Sequence, residues 1–98
     1  YPKRHSAVFN NVTDEELQDL AETLRVTMKK IYVGLDNPDY NYIIHSAPLD
    51  HYDARFFHWA IIIVPRLTTP AGFEMGTGIY INITLPENCA DYLRETEV

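Results

Sequence analysis

Four histidines, His5, His45, His51 and His58, are the side chains best suited to metal or proton chemistry. A neutral imidazole ligates a transition metal or moves a proton near neutral pH. His45 stands in Asn41-Tyr42-Ile43-Ile44-His45-Ser46-Ala47, a β-rich stretch closed by Pro48. His58 stands in Phe56-Phe57-His58-Trp59, at the entrance of Ala60-Ile61-Ile62-Ile63-Val64-Pro65. On neighbouring strands the two imidazoles could share a metal. Two ligands do not make a structural zinc site, which needs four, or three plus water. The competing reading is a pair of ordinary hydrogen-bonded histidines. The second candidate is Gly72-Phe73-Glu74-Met75-Gly76-Thr77-Gly78. Glycine lets a backbone approach a ligand closely. An aromatic ring beside a carboxylate suits a sugar, because the ring packs on its apolar face and the carboxylate accepts from hydroxyls. The alternative is a surface loop with a solvated Glu74. No His-Glu-x-x-His, Cys-x-x-Cys, P-loop or Gly-x-Ser-x-Gly motif occurs, so those chemistries are excluded at the level of motif.

The elements that must carry these groups follow from periodicity. Thr13-Asp14-Glu15-Glu16 is a capping box, with Asp14 and Glu15 at the positive end of a helix dipole. Apolar residues then recur at Leu17, Leu20, Ala21, Leu24, Met28, Ile31 and Leu35, one face of a helix over 14–33. Lys29 and Lys30 suit its negative end, and Gly34 with Asp36-Asn37-Pro38 stops it. Strands are expected at 41–47, 56–65 and 79–83, a short one near 5–9, and a terminal helix at 87–95 after Pro86. Residues 49–55 and 65–78 read as loops. The 56–65 run is apolar on both faces: Phe57, Trp59, Ile61 and Ile63 on one, Ala60, Ile62 and Val64 on the other. A strand with one wet face alternates, so this one is expected to be central and covered on both sides. The fold class is α+β: an antiparallel sheet with one long helix and a short C-terminal helix, forming one domain over 1–98.

Composition narrows the function classes. The chain has 98 residues, 46% hydrophobic and 22% charged, which is globular. Net charge is −6 and the eight Lys and Arg are scattered, without the basic stripe that nucleic acid requires. No apolar run is long enough to span a membrane as a helix. The single cysteine, Cys89, forms no internal disulfide, and with no signal peptide visible the chain reads as cytoplasmic. The sequons at Asn11 and Asn82 read as chance on that basis. The start at Tyr1, without methionine, points to a trimmed or partial chain.

Three blocks in order carry a resemblance: Asn41-Tyr42-Ile43-Ile44-His45-Ser46-Ala47-Pro48, then Phe57-His58-Trp59 with Pro65-Arg66-Leu67, then 71–78. They resemble the C-terminal half of the galactose-1-phosphate uridylyltransferase family and related sugar-nucleotide phosphorylases, over about residues 5–94. The resemblance implies a histidine-triad-like fold, two such halves per chain, and a dimer. It implies nucleotidyl exchange between sugar phosphates through a nucleotidyl-histidine. The nucleophile lies in a His-Pro-His motif of the N-terminal half, which these 98 residues lack. It further implies a zinc or iron site, built from a histidine matching His45, a His-x-His pair beginning at His58, and a carboxylate from the other half. Here Ala60 stands in place of the second histidine and Ile62 in place of a polar residue, so the implied cofactor for this chain is none. The loop at 72–78, through Gly72, Phe73, Glu74 and Gly76, is the implied contact to a sugar phosphate or nucleotide sugar, often across the dimer. The expected partner is a second copy or an N-terminal half. The competing readings are a non-catalytic binding module and a dimerisation domain.

Overall fold

The first helix forms where the capping box placed it. In a computed structural model of the chain, α1 spans Asp14–Gly34. The Thr13 amide donates to Glu16 Oε2 at 3.0 Å and the Glu16 amide donates to Thr13 Oγ1 at 3.2 Å, so two amides that a helix start leaves unpaired are satisfied reciprocally. The structure describes every residue except Tyr52, and of Leu49 the backbone alone. The other elements are β1 (Tyr40–His45), β2 (Ala60–Pro65), α2 (Gly72–Thr77) and α3 (Pro86–Glu95), with 3-10 turns at Phe9–Asn11 and Leu49–His51. Tyr52, in the expected 49–55 loop, lies outside the described residues. β1 and β2 pair into a two-stranded antiparallel sheet, and the class is α+β as expected. No described helix is long and apolar enough to cross a membrane.

The chain divides into two compact units. The first comprises Tyr1–Arg25 and Tyr40–Val64. Its buried apolar side chains are Ala7, Val8, Ala47, Trp59 and Ala60, and Phe57 packs against the cluster of Ala7, Val8 and Ala47. Phe9 meets Trp59 edge to face at 5.1 Å, a favoured aromatic geometry. The entry segment reaches both ends of the 46–59 connection: Ala47 donates its amide to Ala7 O and Trp59 donates to Ser6 O, each at 2.9 Å. Ser46 Oγ accepts from the Phe9 amide at 3.1 Å. Arg4 lies along α1 with two bonds to Glu16, at 2.7 and 2.8 Å, and a third to Asn11 O.

The second unit comprises Val26–Asp39 and Pro65–Val98. Ile31 is its buried side chain. Lys30 donates from Nζ to Leu93 O and Arg94 O at 2.8 and 2.6 Å, placing a cation on the negative end of α3 rather than of its own helix. Tyr92 donates its hydroxyl to Gly34 O at 2.7 Å. A Cβ at Gly34 would come within 3.1 Å of Thr96 Oγ1, so this glycine permits a close approach. The left-handed residues that end α1 are Asp36 and Asn37, with φ of 57° and 52°.

Four expectations are corrected. β2 begins at Ala60, not at 56, because the Phe57 amide closes a turn onto Ala54 O and the Trp59 amide goes to Ser6 O. β2 is not central within this chain: Ile62 and Val64 are 42% and 43% exposed, since among the described residues β2 pairs with β1 and with no other strand. Residues 5–9 form no strand, but an extended piece that runs into the 3-10 turn. Residues 79–83 form no strand either, because side chains occupy two of their amides: Ile79 donates to Thr77 Oγ1 and Ile81 to Glu74 Oε1.

Arg4 holds the Glu16 carboxyl down to about 2 from its ordinary value of 4.5, by hydrogen bonding first, with the Thr13 amide adding to it. A folded-state value below the unfolded one stabilises the fold above the unfolded pKa, and that contribution is lost as pH falls through the folded one. Glu16→Gln therefore lowers the melting temperature at pH 7, and the gap to wild type closes between pH 4.5 and 2. Calorimetric melting across that range checks it; a gap constant with pH contradicts it.

Candidate functional site

The 71–81 segment is not the open loop its glycines suggest. It holds a six-residue helix, α2, closed on itself at both ends. Glu74 Oε2 accepts from the Ala71 amide at 2.7 Å, the reach-back half of a capping box. Gly78 sits in the left-handed region at φ 71° and donates its amide to Glu74 O at 2.9 Å, the usual glycine closure of a helix. Thr77 Oγ1 donates to Phe73 O at 2.7 Å and accepts from the Ile79 amide at 3.1 Å. Glu74 Oε1 then accepts from the Ile81 amide at 3.3 Å. One carboxylate thus ties the residue before the helix to a residue beyond it.

That arrangement refines the role given to Glu74. Both oxygens already receive backbone amides, yet an ionised carboxylate has about four acceptor positions, so each oxygen can still accept from a ligand hydroxyl. Phe73 and Met75 are exposed at 56% and 77%. A Cβ built on Gly72 or Gly76 meets nothing within 4 Å, and neither residue has a positive φ. Nothing in the described chain requires glycine at either place, although a helical glycine costs about 1 kcal/mol relative to alanine.

The two candidate metal histidines have different neighbours. The half-buried His58 ring packs against His5 at 5.0 Å and Tyr1 at 5.4 Å. Its Nε2 is buried and has no hydrogen-bond partner among the described residues. His45 is exposed and packs against Phe57 at 5.9 Å. Ala60 is buried and offers a methyl group. Among the described residues no three His, Cys, Asp or Glu side chains gather into a metal-binding group. These residues do not by themselves fit the zinc or iron site that the resemblance implied: Ala60 leaves them two candidate donors, His45 and His58, where a closed site takes four protein donors and an open one three plus water.

A feature that the sequence did not single out is an open cleft of about 220 Å³ in the first unit, lined by Arg4, His5, Ser6, Ala7, Asn11, Asp53, Ala54 and Arg55. Arg4 is engaged by Glu16 and Asn11, and Asp53 lines the cleft beside Arg55, so the local charge is largely balanced. His51 lies 3.8 Å from Asp50 with both side chains exposed, a contact of small energetic weight.

Sequence and fold both match the C-terminal part of proteins of the galactose-1-phosphate uridylyltransferase family. The chain is 40% identical to the ADP-glucose phosphorylase of Arabidopsis thaliana, with 99% of the chain and 28% of that protein aligned. It is 35% identical to the galactose-1-phosphate uridylyltransferase of Thermotoga maritima, with 100% of the chain and 33% of that protein aligned. The crystal structure of the Arabidopsis thaliana phosphorylase with bound ADP-glucose superposes with a TM-score of 0.88 at 38% identity, over 99% of this chain and 32% of that one. A GalT-like protein of Arabidopsis thaliana gives the same TM-score and identity, over 33% of its length. The chain therefore spans about a third of its relatives. No protein-family model matches it.

If Glu74 ties the segment together, Glu74→Ala speeds amide hydrogen exchange at Ala71 and Ile81 by roughly fivefold, for a hydrogen bond of about 1 kcal/mol. Exchange followed residue by residue by NMR checks it; unchanged rates at both amides assign the carboxylate to solvent.

Proposed function

We propose that these residues form the ligand-contacting C-terminal portion of a nucleotidyl-transferring enzyme acting on sugar phosphates or nucleotide sugars. The exposed face of α2 meets the sugar and phosphate. Gly72 and Gly76 let the ligand reach the backbone, the Phe73 ring packs on the apolar face of the sugar, and Glu74 accepts from its hydroxyls. The observation that carries this reading is the bare space over Gly72 and Gly76, on a chain 38% identical over 99% of its length to a protein solved with ADP-glucose. The nucleophile is supplied from outside these residues, since they hold no His-Pro-His. Assembly with a second copy, or with the part of a longer enzyme that these residues do not include, belongs to the same proposal, as does a cytoplasmic setting.

Ala60 and the unassembled metal donors favour a second reading: a module that holds the nucleotide sugar without turning it over. The two readings separate on the complete natural chain.

Calorimetric titration with ADP-glucose and with glucose 1-phosphate tests the contact. Gly76→Val fills space that is empty in the protein alone, so the fold tolerates it while the ligand does not. We expect affinity to fall by a factor of ten or more. Equal affinity for Gly76→Val and wild type removes the α2 face from the site. Nucleotidyl exchange by the 98 residues alone is expected at background, and turnover above it overturns the placing of the nucleophile.

A further inference from the structure

Phe73 and Glu74, the two residues given the sugar contact, are each tied to the chain that returns past α2. Glu74 makes its tie directly, accepting from the Ile81 amide at 3.3 Å through Oε1. Phe73 has no polar side-chain atom, and its tie runs through Thr77. Thr77 Oγ1 donates to Phe73 O at 2.7 Å and accepts from the Ile79 amide at 3.1 Å. One hydroxyl thus joins the first turn of the helix to the chain beyond its end. Gly78, at φ 71°, makes the turn that brings Ile79 within reach.

The Thr77 side chain is exposed, yet both of its bonds are internal to the segment. A hydroxyl has one proton to donate, and here it goes to Phe73 O, so none is left to donate to a ligand. Helix stability does not account for the residue. Threonine ranks well below alanine in helix propensity, and a hydroxyl bonded to the carbonyl four residues back slightly destabilises a helix. What the hydroxyl does fix is the backbone of Phe73, next to a Glu74 carboxylate that is held through both of its oxygens. A ring can pack on a sugar while a neighbouring carboxylate takes its hydroxyls only if the two keep a set spacing, and displacements of about 1 Å are costly. Every bond in this arrangement lies within 71–81, so it does not depend on what surrounds the segment in a longer enzyme.

We propose that Thr77 is a positioning residue, whose hydroxyl sets the Phe73 ring against the Glu74 carboxylate for the sugar without itself touching the ligand. This rests on the reading that the α2 face meets the sugar, and adds to it the residue that holds that face in register.

Calorimetric titration of the complete natural chain tests it, with Thr77→Val and Thr77→Ser as variants. Valine keeps the branched shape and removes the hydroxyl; serine keeps the hydroxyl and removes the methyl. The position is exposed, so both variants keep the fold. We expect Thr77→Val to weaken ADP-glucose and glucose 1-phosphate by about fivefold, the weight of one hydrogen bond. Thr77→Ser stays within twofold of wild type, and ADP, which lacks the sugar, binds all three proteins alike. Amide exchange at Ile79, followed by NMR, speeds up in Thr77→Val and not in Thr77→Ser. Equal affinity of Thr77→Val and wild type for ADP-glucose overturns the proposal. So does a Thr77→Ser variant as weak as Thr77→Val, an equal loss for ADP, or unchanged exchange at Ile79. A wild type that binds neither sugar ligand removes the α2 face from the site altogether, whereas a wild type that binds beside an indifferent Thr77→Val removes only the role of Thr77.

Discussion

Two backbone hydrogen bonds join the entry of the chain to the base of its sheet. Ala7 O accepts from Ala47 just after β1, and Ser6 O accepts from Trp59 just before β2. Each contributes about 0.5–1.5 kcal/mol net, but their placing matters more than their strength. They anchor both ends of the 46–59 connection on one short stretch. They put Ala7 and Val8 into the core beside Ala47 and Phe57, and carry His5 onto His58. Without that wedge, the first turn of α1, held to Arg4 through Glu16, has no tie to the ribbon that this stretch provides.

The α2 segment obeys a different constraint, since it rests on its own hydrogen bonds. Its glycines weaken the helix, and Glu74, Thr77 and Gly78 offset that by satisfying amides and carbonyls at both ends. A helix this short is below the length that stands alone by propagation, so its end bonds largely decide its shape. The consequence for chemistry is pre-organisation. A carboxylate already held by two amides has little rotamer freedom left to lose.

His58 illustrates where a resemblance and a structure part. At the entrance of β2 it stands where a ligand pair would begin. Ala60, in place of the second histidine of that pair, is buried, and Ile62, in place of a polar residue, is apolar and exposed. The ring instead makes tilted contacts with the rings of Tyr1 and His5. Its Nε2 is left without a partner among the described residues, a state that costs free energy. The position keeps the shape of a site, whereas its strand neighbours serve packing.

Local signals were legible in the sequence wherever one element supplies both partners of an interaction. The Thr13–Glu16 capping box, the 3.6-residue stripe of α1 and Pro86 at the start of α3 all appear where the residues placed them. The blocks at 41–48, at 57–59 with 65–67, and at 71–78 likewise carried the resemblance to the family, because they are a matter of order and identity rather than of folding. What only the tertiary structure decided is where backbone amides find acceptors far along the chain. Trp59 bonds Ser6, so β2 starts at Ala60; Glu74 and Thr77 take the amides of Ile81 and Ile79, so a strand-like sequence stays unpaired. Strand propensity states that a segment fits a ladder, but a ladder needs a second edge, and that edge is a property of the assembled chain.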